Sequence, residues 1–177
     1  MNRAIGRIAV AFLVTLSMVA MSSPVAAQSS DQPDWADDLF ADFEEMQPRY
    51  NENIGDADMN FAQRQIYNQI TGNIVNVYLV GTDVTYSFRM RSDGRITDLQ
   101  QSRRDDADLR MQMTRDTAED LAAADNPVPL FVTAAQNGAV VRRNGERTVR
   151  GIVINGADGK PIKQATWTVV NTVKGLL

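Results

Sequence analysis

Residues 74–99 read IVNVYLVGTDVTYSFRMRSDGRITDL, and this stretch decides the fold. In its middle, Val84, Tyr86, Phe88 and Met90 alternate with Thr85, Ser87, Arg89 and Arg91. Successive side chains of a strand point to opposite faces, so such alternation predicts a strand with one buried face. Ile74, Val75, Val77, Tyr78, Leu79 and Val80 form a β-rich run ahead of it. Behind it, Asp93-Gly94 supplies a tight turn before Ile96 to Leu99, which completes a predicted antiparallel meander.

Upstream the period changes from two to that of a helix. Phe61, Ile66, Tyr67 and Ile70 keep helical spacing over residues 61–70, and Gly72 stands where a left-handed C-terminal residue closes a helix. Further back, Trp35, Leu39, Phe40, Phe43 and Met46 fall three and four apart, while Asp37, Asp38, Asp42 and Glu45 face away, and Pro48 is expected to end the helix. Residues 28–60 therefore read as an acidic linker and amphipathic helix, and 61–177 as the folded domain. The linker holds ten acidic residues against the single base Arg49, whereas the rest of the chain is close to neutral. Helices that lie on anionic membranes carry Lys and Arg on the polar face, so this one is expected to dock on the domain with a solvated acidic back.

Downstream, Leu109, Met111 and Met113 alternate in a fourth strand. Thr114 stands at a helix cap with Asp116 and Glu119 in the first turn, and Ala118, Leu121, Ala122 and Ala123 supply packing. Asn126-Pro127 opens another helix through Leu130, Phe131, Ala134 and Ala135 to Asn137-Gly138, since proline is tolerated at the first helical position. A strand from Ala139 to Arg142, a turn at Asn144-Gly145, a strand from Thr148 to Ile154 and a turn from Asn155 to Gly159 follow. Residues 162–177 stay ambiguous. Thr and Val favour a strand, whereas Trp167, Val170, Val173 and Leu177 keep helical spacing.

The residue types exclude more chemistry than they offer. The chain has no Cys and no His, which removes disulfides, thiolate and nearly all zinc sites, the usual catalytic triads and the commonest general base. Asp105, Asp106 and Asp108 lack the spacing of a calcium loop and read as a solvated turn. No Gly-rich phosphate loop is present, and the net charge of −4 argues against a nucleic-acid partner. Arg142, Arg143, Arg147 and Arg150 read as solvated outer positions of strands. What is distinctive is apolar. Phe88, Met90, Met111, Met113, Leu121, Leu130 and Phe131 lie on elements expected to face each other, and paired methionines make a pliable lining.

The order of these elements resembles the sterol-carrier-protein-2 (SCP-2) family. The resemblance rests on the run Asp105-Asp106-Ala107-Asp108 into Leu109-Arg110-Met111-Gln112-Met113, on the capped acidic helix from Thr114 to Leu121, on Asn126-Pro127, and on Gly138 leading to Asn144-Gly145. It covers about residues 74–145. It implies an α+β fold, a mixed, largely antiparallel sheet of five to six strands with helices packed on one face, and a space between them for acyl or sterol-like molecules. Those seven residues are then the expected ligand-binding set, with no catalytic residue, no metal and no cofactor.

The N-terminus sets the compartment. Arg3 and Arg7 precede the apolar run 8–21, and Ser22-Ser23-Pro24 leads to the small residues Val25-Ala26-Ala27. This is the pattern of a signal peptide, residues 1–27, cleaved near Ala27. The run is too short for the roughly 20 residues of a spanning helix. The expected protein is a secreted or cell-envelope, non-enzymatic domain that binds a lipid-like apolar or amphipathic molecule. The alternative is a cell-surface structural or protein-interaction domain with a solid core and no ligand.

Overall fold

The computed structural model describes residues 32–143 and 145–157. The signal-peptide reading of residues 1–27, Asn144 of the expected turn, Asp158-Gly159 and the ambiguous segment 162–177 lie outside the described residues. Among the described residues, no helix is long and apolar enough to cross a membrane.

The first helix, α1 (Asp34–Asn53), buries Ala36, Leu39, Phe43, Met46 and Tyr50. Those steps of three and four run unbroken through Pro48, so the expectation that Pro48 ends the helix is corrected. A proline there removes one donor, the one that would serve the Glu44 carbonyl. Both residues are exposed, and water can take the carbonyl. Side chains on both sides of the proline hold the last turns. The Asn51 amide donates to the Ile96 carbonyl at 2.9 Å and its oxygen accepts from the Ile96 N–H at 2.7 Å, while Gln47 Nε2 donates to the same carbonyl at 2.7 Å. A short 3-10 turn (Ile54–Asp56) leads on to α2 (Phe61–Ile70), capped by Asn60 and Gln63 reciprocally. Phe61, read as part of the apolar face of this helix, is instead 70% exposed, because it sits at the first turn, clear of the core.

Four strands follow the expected order: β1 (Ile74–Leu79), β2 (Thr85–Met90), β3 (Ile96–Gln100) and β4 (Leu109–Met113). The pairs β1–β2 and β2–β3 are antiparallel, as the meander requires. Strand β4 lies parallel to β1 on its other side, pairing Val77 with Met111 and Leu79 with Met113. Thr114 caps α3 (Arg115–Ala123) by accepting from the Thr117 N–H, and Asn126 caps α4 (Pro127–Gln136) by accepting from that of Val128. Both caps satisfy donors that a helix start leaves without a partner.

The strand expected over 139–142 is present as β5 (Ala139–Arg143), but the last strands differ from the sequence reading. In place of one strand over 148–154, β6 (Glu146–Arg150) pairs antiparallel with β5 in a separate hairpin, and β7 (Val153–Gly156) joins the main sheet beside β4. Asn155 and Gly156, read as a turn, belong to β7. The break comes at Gly151, whose backbone is left-handed at φ 62°, and Ile152 then donates its N–H to the Ala134 carbonyl at the end of α4 at 2.9 Å. A side chain at residue 151 would collide with that carbonyl, so only glycine lets the chain change sheets here.

The result is an α+β domain with a five-stranded, mostly antiparallel sheet in the order β3-β2-β1-β4-β7. Helices α1, α3 and α4 contribute to one buried cluster with the strands, so the helix ahead of residue 61 is part of the core. Arg49 of α1 donates to the Ala122 carbonyl at 2.7 Å, and the Arg115 guanidinium stacks 4.3 Å above the Trp35 ring, tying α1 to α3 twice. On the reverse face, buried Asn76 exchanges hydrogen bonds with the Arg104 backbone at 2.8 and 2.9 Å, fixing the 101–108 loop there.

Candidate ligand-binding site

Where α1 and the two later helices lean on the sheet, their side chains leave a cavity of about 50 Å³. Phe43, Met46, Gln47 and Tyr50 of α1 form one wall, and Val77, Tyr86, Phe88, Met111 and Met113 of the sheet face them. Leu121 of α3, Pro127 and Phe131 of α4, and Ile96 and Leu99 of β3 close the ends. No side chain of the lining is charged.

The sequence-expected set is divided by this geometry. Phe88, Met111, Met113, Leu121 and Phe131 line the cavity together, whereas Met90 and Leu130 do not. Met90 points to the same side of β2 as Phe88 but stands two residues on, about 6.6 Å further along the strand. It is fully buried there, at the strand end where its backbone bonds to Gly72 and Asn73. Leu130 precedes Phe131 on α4, which turns it about 100° around the helix axis, and it is 38% exposed. Sequence reasoning missed the α1 wall. The signal was the continued spacing of Phe43, Met46 and Tyr50, obscured by reading Pro48 as a stop.

The polar groups of the lining are mostly engaged. Tyr86 donates its hydroxyl to the Ala36 carbonyl at 2.7 Å, and its ring meets Phe43 edge-on with centroids 5.6 Å apart. Burial, then the nearby Asp37 carboxylate, pushes the Tyr86 hydroxyl up to about 12. Tyr50 stands edge-on to Phe131 with centroids 6.1 Å apart, and its hydroxyl is buried without a hydrogen-bond partner. Burial first, and Tyr67 second, raise its proton affinity far above the usual tyrosine range. Both tyrosines are therefore held in the neutral form.

The other clusters singled out in the sequence do structural work. Asp106 pairs with Arg104 at 2.9 Å, which holds its carboxyl below the usual range, and Asp108 accepts the Ile74 N–H at 3.1 Å, pinning the loop to β1. Arg142, Arg143, Arg147 and Arg150 are exposed on the β5–β6 hairpin, outside the cavity lining.

No family model matches the chain, and no curated protein matches it. Among solved structures the chain is similar to one described as a UbiJ-SCP2 ubiquinone synthesis protein, at 9% identity and a TM-score of 0.32, over 76% of this chain and 91% of that one.

Proposed function

We propose that this is an exported, non-enzymatic domain that takes up a small apolar or amphipathic molecule between the sheet and helices α1, α3 and α4. The observation that carries the reading is the cavity itself, walled by aromatic, aliphatic and methionine side chains with no charge among them. Met46, Met111 and Met113 stand around it, and methionine repacks around guests of different shape more readily than branched residues do. The element order resembling SCP-2 points the same way. Export rests on the pattern of residues 1–27, and N-terminal sequencing of secreted material should find a start near Gln28.

The volume of about 50 Å³ favours a second reading, a solid-cored structural or interaction domain. An apolar cavity of about 150 Å³ is enough to hold benzene, and pockets for larger ligands span roughly 300–1,000 Å³. A lipid-like guest must therefore widen the cavity by moving the methionines and α1.

One substitution separates the readings. An apolar fluorescent reporter should titrate wild type saturably, and Leu121→Trp should abolish that uptake while costing less than the 1–3 kcal/mol typical of an overpacked solid core. A wild type that takes up no reporter leaves the structural reading standing. A variant that unfolds easily while wild type binds would place the guest away from Leu121.

A further inference from the structure

We propose that the β5–β6 hairpin is a docking face for a second copy of this chain, and that Arg142 and Arg147 there pair with Asp38 and Asp42 on the back of that copy's α1. The contact needs neither the cavity nor a guest. The hairpin is a sheet of its own, and Arg142 lies directly opposite Arg147 in it, so both side chains leave the same face. Like charges in that relation destabilise a strand pair. Both arginines are exposed, and among the described residues neither enters an ion pair. Glu146, the one acid of residues 139–150, stands opposite Arg143 instead. Val140, two residues before Arg142 and therefore on its face, is 44% exposed and adds apolar area to the patch.

Helix α1 carries the complement. Asp34, Asp38, Asp42 and Glu45 are all exposed and fall four, four and three apart, which makes one stripe of the helix about 16 Å long. Like-charged neighbours at that spacing cost helix stability, as the two arginines cost the hairpin. No cation of the described residues pairs with the stripe, and Arg49 of the same helix is turned to the Ala122 carbonyl. The spacings of the two patches match. Side chains four apart on a helix leave it about 5–6 Å apart, and directly opposed strand residues about 4.5–5.5 Å apart. Asp38 and Asp42 therefore meet the two arginines one to one, and each carboxylate accepts two N–H bonds from a guanidinium fork. Association relieves both repulsions at once. An anionic lipid surface fits the hairpin less well, because it leaves the α1 stripe unanswered and repels a chain of net charge −4.

The test is sedimentation velocity of the full mature chain over rising concentration. Wild type should form species heavier than the monomer in about 20 mM salt and return to monomer in about 0.5 M salt, where screening shortens to a few ångströms. Arg142→Glu with Arg147→Glu, and separately Asp38→Arg with Asp42→Arg, should each weaken self-association by roughly 10-fold or more. Each reversal keeps a like-charged pair in its place, so unfolding midpoints should stay near that of wild type. Mixing the two variants should restore association, because each supplies the charge that the other has lost. A mixture that stays monomeric overturns the pairing, as does a wild type that is monomeric throughout or that stays associated in about 0.5 M salt. A monomeric wild type that pellets with phosphatidylglycerol vesicles, while the hairpin variant does not, assigns the hairpin to a lipid surface and also overturns it.

Discussion

Phe131→Ala should lower the free energy of unfolding by about 3–5 kcal/mol, the range for truncating a buried aromatic ring. Phe131 is 7% exposed and stands edge-on to Tyr50 with centroids 6.1 Å apart. It joins α4 to α1 across the cavity, so its removal costs the transfer of the ring, the edge contact and the packing of the Tyr50 side chain. The site also already contains a void, and a cavity left beside an existing one collapses less readily. That places the loss toward the upper end. Urea unfolding with an unchanged denaturant slope would measure it. A midpoint that barely moves would mean that α4 presents another face to the sheet, and the cavity as drawn would be wrong.

The part of the fold that sequence could reveal is the part fixed by local periodicity. Tyr86, Phe88 and Met90 alternate because β2 covers the core with one face, and Asp93-Gly94 turns the chain where the meander needs it. Thr114 and Asn126 announce helices because a helix start leaves free donors that only a few side chains can satisfy. Pairing is different. That β4 lies parallel to β1 follows from which strands meet across a crossover, and nothing in Leu109 to Met113 encodes the partner. The same holds for the α1 wall. Pro48 is a local stop signal overridden by tertiary burial of Tyr50 and by the hold of Asn51 on Ile96. Among the expected site residues, those whose strand or helix face was legible converge, while Leu130 was assigned one helical position away from the inward face.

Gly138→Ala should also be strongly destabilising, by about 3 kcal/mol or more, because its added methyl meets backbone rather than a movable side chain. Asn137-Gly138 reads in sequence simply as the end of a helix. In the fold it is also where the chain returning from β6 crosses the end of α4. A Cβ at residue 138 would lie 1.8 Å from the Ile152 carbonyl oxygen and 2.6 Å from its carbon. Ile152 cannot retreat. It is 1% exposed, and its N–H donates to the Ala134 carbonyl at 2.9 Å. Relief must come from lifting residues 151–152 off α4, which draws β7 away from β4, where Ile154 pairs with Met111 and Val153 with Gln112. Hydrogen exchange at the β7 amides should therefore accelerate in the variant before the meander β1–β3 opens. Gly145→Ala is the matched control. Gly145 has φ 87° with nothing within 4 Å of an added Cβ, so its replacement costs only left-handed strain, about 1–2 kcal/mol. If Gly138→Ala unfolds no more easily than Gly145→Ala, the crossing is looser than drawn, and β7 is not held to the sheet through the end of α4.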